Sequence, residues 1–277
     1  MAGLKNKTII ITGASRGIGK AMAIKFAKNG ANIVAASKSL TAHPKLPGSL
    51  EETVADVKKS GGQAIAVQVD VRHPDQVNNM VESAVETFGG VDMLVNNAGA
   101  ISLTSVEKTS LKLYDRMHYV NDRAVFLCSQ AVLPYLKNSD QGHILTLSPP
   151  INLNPKWLKD YSPYTASKYS MSMLTIGMAE ELKEDKIAVN SLWPKTIIAT
   201  AAIEFAVGDK NMLNVCRTTD IMADAAFEII STNDMSLTGN LFIDEDILRE
   251  KGVQDFDKYL NNPEFKGKLY PDLFLDE

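Results

Sequence analysis

The stretch Thr8-Ile-Ile-Ile-Thr-Gly-Ala-Ser-Arg-Gly-Ile-Gly19 joins a short apolar run to the beginning of a helical pattern. Thr8–Thr12 predicts a buried strand. The pattern that follows has an apolar stripe typical of a helix, and Asn29-Gly30 predicts its end. The stripe consists of Ile18, Ala21, Met22 and Phe26. The stretch is therefore interpreted as a strand, a glycine turn and a helix.

The glycine turn predicts a diphosphate-binding site. Gly13, Gly17 and Gly19 lack the β-carbons that would keep the backbone, a phosphate and the helix apart. A helix N-terminus also offers free N–H groups and the positive end of its dipole to an anion. The alternative interpretation is a glycine-rich turn that binds nothing.

The same alternation of apolar runs and helical patterns continues along most of the chain. Each run is short and bounded by Gly, Asn, Asp or Pro, as expected for strands buried on both faces. The further runs are residues 32–36, 64–69, 91–95, 143–147, 186–192 and 241–244. This alternation predicts an α/β fold with a doubly wound parallel sheet of the Rossmann type. One domain is expected over residues 1–248, followed by an irregular acidic and aromatic tail over residues 249–277.

Composition excludes several classes of protein. The chain has 277 residues, of which 45% are hydrophobic and 22% charged, as in soluble proteins with a packed core. A net charge of −4 leaves no basic surface for nucleic-acid phosphates. Two cysteines make no disulfide framework, and neither a signal peptide nor a membrane span is visible. We expect a cytoplasmic protein with a small-molecule partner and no metal.

Tyr164 and Lys168 form a second chemical motif. Their four-residue spacing places both side chains on one face of a helix. A neighbouring ammonium lowers the pKa of a tyrosine from its ordinary value near 10 by favouring the phenolate. Such a pair can exchange a proton with a substrate oxygen.

In three motifs and their order, the chain resembles the short-chain dehydrogenase/reductase family. The motifs are Gly13-x-x-x-Gly17-x-Gly19, Asn96-Asn-Ala-Gly99 and Tyr164-x-x-x-Lys168, and the likeness covers about residues 5–245. The resemblance implies an oxidoreductase in which hydride moves between a nicotinamide and a substrate carbon. It also implies a homodimer or homotetramer, formed through the helices that hold residues 111–136 and 164–182.

The resemblance implies roles for individual residues. Tyr164 would be the acid/base, Lys168 would also hold the nicotinamide ribose, and Asn121 would anchor a proton-relay water. Ser148 is a fourth catalytic candidate, because it adjoins the position at which the family usually has its catalytic serine. The residues implied to bind the cofactor are Gly13, Ser15, Arg16, Gly17, Ile18, Gly19, Lys38, Asp70, Val71, Asn97, Ala98, Gly99, Tyr164 and Lys168. For Asn121 the alternative is a polar residue that distorts a helix, and for Asp70 it is the cap of a turn.

The end of the second strand bears on the choice of coenzyme. An NAD-selective site needs a carboxylate there for the ribose 2′-hydroxyl. The chain has Ala36-Ser37-Lys38 instead. Lys38 and Arg16 predict a 2′-phosphate contact and hence NADP(H). The alternative is two solvated surface cations.

The fifth strand departs from the family pattern. The usual catalytic serine position is occupied by Pro149, which has no donor. Three hypotheses remain open: Ser148 shifts inward, or Ser162, Asn152 or a water replaces the serine, or the enzyme is slow or inactive. The last hypothesis leads to an alternative function, a dinucleotide-binding scaffold or sensor with little turnover.

A group within the family shares this proline, and the chain resembles that group in four segments. They are residues 43–47, 148–155, 192–196 and 271–277. Members often carry a C-terminal lipid-binding domain, which implies a lipophilic, fatty-acyl or sterol-like substrate. The bond reduced, a carbonyl or the C=C bond of an enoyl group, is left open.

One segment, one set of apolar residues and one lysine are further candidates for contact with the substrate. Residues 196–221, with Phe205, Met212 and Leu213, correspond to a mobile lid in relatives. Trp157, Leu158 and Pro150 are expected to line the opposite wall or to belong to the core. Lys195 is interpreted as a contact for an anionic group or as a solvated loop lysine. The tail is expected to dock on a neighbouring subunit or to begin a linker.

Overall fold

The structure is a computed structural model that describes residues 3–42, 47–201, 203, 210–232 and 234–276. Seven strands of this part form one parallel sheet in the order β3-β2-β1-β4-β5-β6-β7. They are β1 (Thr8–Thr12), β2 (Asn32–Ser37), β3 (Gln63–Gln68), β4 (Met93–Asn96), β5 (His143–Thr146), β6 (Ala188–Trp193) and β7 (Leu241–Ile243). The predicted doubly wound sheet is confirmed, and no strand end differs from its predicted position by more than two residues.

Helices cover both faces of the sheet. They are α1 (Gly17–Lys28), α2 (Leu50–Lys59), α3 (Pro74–Phe88), α4 (Leu111–Val120), α5 (Asp122–Leu136), α6 (Ser162–Glu181), α7 (Asp220–Ile230) and α8 (Asp244–Glu250). Short 3-10 turns lie at Pro155–Trp157, Lys210–Val215, Met235–Leu237 and Asp257–Tyr259. Local signals explain several boundaries: the Ser49 hydroxyl accepts from Glu52 N to cap α2, and Gly89, at φ +85°, ends α3. Among the described residues, no helix combines the length and the apolar character of a bilayer span.

Alternation along the strands divides the core into two layers. Ile9 and Ile11 of β1 pack with Phe26 on one face, among side chains from α1, α2, α7 and α8. Ile10 of β1 packs on the other face, among side chains from α3, α5 and α6. Successive strand residues point to opposite faces, so continuous apolar runs are needed for a sheet covered on both sides.

The strand order reverses between β1 and β4. In a doubly wound sheet, such a switch point opens a crevice at the carboxyl ends of the strands. The glycine turn follows β1 at this edge, and Asn96-Asn97 end β4 beside it. The topology therefore places the predicted cofactor residues of these two segments side by side.

The region after residue 248 packs more closely against the rest of the chain than its composition indicates. The expected boundary between domain and tail falls inside α8. Phe256, Tyr259 and Phe274 are buried against their own chain. Arg217 joins this region to α8, since its guanidinium donates to Phe256 O (2.8 Å) and to Glu245 Oε2 (2.9 Å). The tail is irregular, as predicted, and these three aromatic residues pack against their own chain.

His143 predicts a measurable pH dependence of stability. Complete burial in β5 lowers its pKa to about 4, and its Nε2 lies 3.2 Å from Asn190 Nδ2. The unfolded chain binds this proton near the ordinary value of about 6.5, so the stability contribution is present above pH 6.5 and is lost as pH falls toward 4. We expect the wild type to lose about 2–3 kcal/mol more than His143→Gln between about pH 7 and pH 4.5 in urea unfolding.

The contributions of other titratable groups to this pH dependence cancel between wild type and variant, because the variant retains those groups. Burial raises the pKa of Asp244 to about 7, which acts in the opposite direction in both chains. Equal losses in wild type and variant would contradict the assigned role of His143.

Candidate active site

The β1–α1 turn is locked to the end of β4. Asn97 Nδ2 donates to Thr12 O (2.8 Å) and Gly13 O (3.2 Å), while Asn97 N and Ala98 N donate to Thr12 Oγ1 (3.1 and 3.0 Å). A β-carbon on Gly19 would lie 2.5 Å from the Asn97 amide and 2.6 Å from Gly13 O. The absent β-carbon therefore allows helix, turn and β4 to meet.

This turn fits the diphosphate of a dinucleotide. Gly13 and Gly17 have φ values of +70° and +56°, a region that favours glycine. Arg16 occupies the N-cap of α1 and makes no side-chain capping bond, so the first N–H groups of the helix are left for an anion. Ser15 and Ile18 lie in this segment, and Gly99 lies in the segment that follows β4.

Polar groups surround the end of β2. Ser37 Oγ donates to Ser15 Oγ (3.1 Å), and Arg16 donates to Pro47 O (2.7 Å) and Gly48 O (3.0 Å). The Lys38 side chain is 65% exposed and lies 4.0 Å from Asp70 Oδ2. Lys38 therefore has a largely free ammonium, whereas the Arg16 guanidinium also supports the loop before α2.

Asp70 follows β3 and is held within its own turn. Arg72 donates to both carboxylate oxygens, with Nη2 to Oδ2 at 2.6 Å, and hydrogen bonding to Arg72 lowers the pKa of Asp70. Arg72 N also donates to Asp70 Oδ1 (3.2 Å), the turn-capping bond of the alternative interpretation. The neighbouring Val71 is buried.

Tyr164 and Lys168 are buried together on α6. Lys168 Nζ donates to Leu147 O at the end of β5 (2.5 Å) and lies 5.0 Å from the centre of the Trp193 ring. α6 therefore holds both predicted proton-transfer groups against the carboxyl edge of β5 and β6.

Asn121 occupies the junction between α4 and α5. Its Nδ2 donates to Ala100 O and Ser167 Oγ (both 2.9 Å), and its Oδ1 accepts from Ala100 N (2.7 Å). The side chain thus connects the helix break, the segment after β4 and α6. The geometry agrees with both the predicted role and the structural alternative.

The candidates for the serine role lie in different surroundings. Ser148 is fully buried, and its hydroxyl has no hydrogen-bond partner among the described residues. The Asn152 amide donates to Phe274 O (3.2 Å) and Asp276 Oδ2 (2.9 Å). Ser162 lines a surface pocket with side chains of α4, among them Leu111 and Tyr114. Pro149 contributes its carbonyl, which accepts from Ser172 Oγ (2.6 Å).

Residues 270–276, here called the covering segment, close the site over Tyr164. The Phe274 ring is stacked on the Tyr164 ring, with 6.3 Å between centroids and 29° between planes. The covering of Tyr164 by residues 270–276 was not predicted from the sequence. The concentration of aromatic residues near the end of the chain was the one local indication that this region packs against a core. Trp157 and Leu158 pack against the cluster that contains Phe274 and Tyr164. This agrees with the interpretation in which they belong to the core.

Two other predicted substrate contacts are Lys195 and the lid of residues 196–221. Lys195 Nζ pairs with Asp246 Oδ1 (2.9 Å), so its ammonium binds an acid of α8. The side chain is also 43% exposed, so the pair lies at the surface. Phe205 of the predicted lid and residues 43–46 of the group-specific segment lie outside the described residues.

Burial shifts the pKa of both proton-transfer groups, Tyr164 and Lys168. It raises the pKa of Tyr164, with a further contribution from the charge of Asp272, and it lowers the pKa of Lys168 to about 7 against the opposing effect of Asp272. The expected lowering of the Tyr164 pKa is therefore not found while Phe274 covers the ring.

Comparison with known proteins identifies the family. The family model described as short chain dehydrogenase matches residues 7–207. The chain belongs to the short-chain dehydrogenase family. Its members bind nicotinamide dinucleotides, and the chain is accordingly related to oxidoreductases.

Individual relatives agree with this assignment. The chain is 53% identical over 270 residues to hydroxysteroid dehydrogenase-like protein 2 of Bos taurus, covering 98% of this chain but 63% of that protein. A crystal structure from Xanthomonas campestris superposes with a TM-score of 0.94 at 44% identity, over 99% of this chain and all of the other. A 7α-hydroxysteroid dehydrogenase complexed with NADH and 7-oxo glycochenodeoxycholic acid has a TM-score of 0.76 at 27% identity, over 87% of this chain and 94% of the other.

The glycine turn predicts a sharp response to one added methyl group. We expect Gly19→Ala to lower the free energy of unfolding by about 1–3 kcal/mol and to weaken dinucleotide binding, because the new β-carbon overlaps Asn97 and Gly13. Urea unfolding and calorimetric titration with NADPH measure the two effects. Gly90→Ala is the matched control, since a β-carbon there meets nothing within 4 Å. Equal behaviour of the two variants would refute the close approach.

Proposed function

We propose that the protein is an NADP(H)-dependent oxidoreductase that interconverts a carbonyl and a hydroxyl group on a lipophilic, fatty-acyl or sterol-like substrate. The observation that carries the proposal is the burial of Tyr164 and Lys168 together at the sheet edge that also holds the glycine turn. The bound coenzyme would supply or accept hydride there. Tyr164 would exchange the proton with the substrate oxygen.

Lys168 would adjust the acidity of Tyr164. Its ammonium stabilises the phenolate electrostatically once the phenol loses its apolar cover. Asn121 holds the helix break beside α6 and would position the proton-relay water. These roles agree with the bonds of Asn121 to Ala100 and Ser167.

Ser148 is our choice for the residue that replaces the missing serine. A buried hydroxyl without a partner calls for a functional explanation. Of the described residues, Thr146, Ser191, Thr196 and Thr218 also have such hydroxyls, but Ser148 adjoins the position that the family uses. Asn152 is already bonded to the covering segment, and Ser162 lines an outer pocket.

The preference for NADP(H) is supported by charge at the end of β2. Lys38 carries a largely exposed ammonium, and its only described acidic neighbour, Asp70, is already paired with Arg72. A phosphate on the adenosine ribose would gain a charge-assisted contact there. The lipophilic substrate is supported by the aromatic surroundings of Tyr164.

A second candidate function is a dinucleotide-binding scaffold or sensor with little turnover. Pro149 favours it, because a missing oxyanion contact raises a reaction barrier by about 3–4 kcal/mol. Under this hypothesis the coenzyme binds and stabilises the fold, but no substrate consumes it.

A homodimer or homotetramer is proposed from the outer faces of α4, α5 and α6. Exposed apolar side chains cluster on these helices: Leu111, Tyr114, Tyr119, Phe126, Met173 and Ile176. Such a patch is typical of an interface between subunits. Sedimentation velocity measures the assembly, and a monomer at micromolar concentration would contradict it.

Replacing Tyr164 tests the acid/base role. With NADPH and a panel of apolar ketones, we expect Tyr164→Phe to lower kcat/KM by about 100-fold or more, because the phenylalanine has no proton to transfer. NADPH should still raise the Tm of the variant. Tyr161→Phe, a neighbouring tyrosine of the same cluster, is the control and should retain most activity. Intact turnover in Tyr164→Phe would remove the residue from the mechanism, and NADPH binding without any consumption would favour the scaffold.

Replacing Lys38 tests the choice of coenzyme. We expect Lys38→Asp to shift the ratio of NADPH to NADH affinity by about ten- to a hundredfold toward NADH, since one charged contact to phosphate is lost and a ribose acceptor is gained. Calorimetric titration with each coenzyme measures the shift. Lys266→Asp makes the same change of charge elsewhere on the surface and should leave the ratio unchanged. An unchanged ratio in Lys38→Asp would exclude this lysine from the phosphate site.

A further inference from the structure

The covering segment fills the space beside Tyr164 with an aromatic ring. Phe274 is 1% exposed. Its ring centroid lies 5.2 Å from that of Tyr169, 5.8 Å from that of Trp193 and 6.1 Å from that of Trp157. Aromatic side chains thus surround it on several sides, and no substrate group can reach the Tyr164 ring where Phe274 lies.

Asp276, two residues later, occupies a seat for a carboxylate. Its Oδ1 accepts from Lys156 Nζ (2.6 Å) and Trp157 Nε1 (3.2 Å), and its Oδ2 accepts from Asn152 Nδ2 (2.9 Å). We call these three donor residues the anion seat. We call the rings around Phe274, those of Trp157, Tyr164, Tyr169 and Trp193, the aromatic cage. Trp157 contacts both Phe274 and Asp276, so the aromatic cage and the anion seat adjoin each other.

Backbone bonds hold the rest of the covering segment over the site. Tyr270 O accepts from Ile197 N (3.0 Å), Asp272 N donates to Lys195 O (3.1 Å), and Leu273 O accepts from Trp193 Nε1 (3.0 Å). Phe274 itself has a φ of +72°, a conformation that is unfavourable for a bulky side chain. The aromatic cage, rather than backbone preference, therefore keeps Phe274 in place.

We propose that the covering segment is a built-in competitor for the substrate site, and that the ligand displacing it is a carboxylate with an apolar body. The inference rests on the proposed role of Tyr164, because that role makes the cage the substrate site. Phe274 would stand in for the apolar body of the ligand, and the Asp276 side chain would stand in for its carboxylate.

The donors of the anion seat support a carboxylate over a neutral group. When Asp276 leaves, an ammonium, an indole N–H and an amide lose their acceptor. A ligand carboxylate restores all three contacts, whereas a hydroxyl lacks the charge that strengthens the bond to Lys156. Two other lysines near the covering segment have partners of their own: Lys195 is paired with Asp246, and Lys168 donates to Leu147 O.

Tryptophan fluorescence provides a test that needs no turnover. The chain has two tryptophans, Trp157 and Trp193, and both contact Phe274. The probes are 6-phenylhexanoate and its neutral counterpart 6-phenylhexan-1-ol, titrated into the full chain while tryptophan emission is followed. We expect Phe274→Ala to bind the carboxylate about tenfold more tightly than the wild type, since the competing state is removed. Asp276→Asn should bind it several-fold more tightly by weakening the same state.

Matched variants distinguish this result from general loosening. Phe265→Ala and Asp255→Asn repeat the two changes outside the cage and should bind as the wild type does. Lys156→Met, combined with Phe274→Ala, should abolish the preference for the acid over the alcohol. The proposal is overturned if neither Phe274→Ala nor Asp276→Asn tightens binding, or if acid and alcohol bind alike to Phe274→Ala.

The design also separates this inference from the proposed function. Asp276 has an exposed side chain, so Asp276→Asn decides the outcome if Phe274→Ala does not fold. Tighter binding in these variants together with full turnover in Tyr164→Phe would retain the competitor and reject the acid/base role. Unchanged binding in Phe274→Ala and Asp276→Asn, together with lost turnover in Tyr164→Phe, would retain the acid/base role and reject the competitor.

Discussion

The close contact between the β1–α1 turn and the end of β4 is the constraint on which the site depends. The Asn97 amide bridges Thr12 O and Gly13 O across the point where the strand order reverses. That contact requires glycine at position 19, because any β-carbon would overlap the amide. It aligns the N-terminus of α1 with the carboxyl edge of the sheet. The same edge continues through β5 to α6, where Tyr164 and Lys168 lie.

Burial gives the proton-transfer pair two opposing properties. It holds Tyr164 and Lys168 in a defined geometry, and it also disfavours the charged form of each group. The present surroundings therefore favour the neutral phenol of Tyr164. Under the two proposals above, displacement of Phe274 and arrival of a cationic nicotinamide would both favour the phenolate.

Much of the fold was predictable from short patterns. The apolar runs correspond to the strands because both faces of the sheet are covered, and each run is bounded by residues that end strands. Gly13, Gly17 and Gly19 and the spacing of Tyr164 and Lys168 are equally local, so their chemistry follows from neighbouring residues alone. The sequence could not rank the candidates for the serine role, since Ser148, Asn152 and Ser162 differ mainly in what packs around them.

The succession of strands and helices along the chain, the glycine turn and the Tyr-Lys spacing can be read from the residues alone, because these features depend on positions close together in the chain. The position of residues 270–276 over Tyr164 depends instead on contacts that form only on folding. Asn152 bonds to Asp276 across 124 positions, and Trp157 bonds to it across 119. No local pattern encodes contacts of that separation. The same holds for Lys195, whose partner Asp246 lies 51 positions away and becomes its neighbour only when β7 joins the sheet.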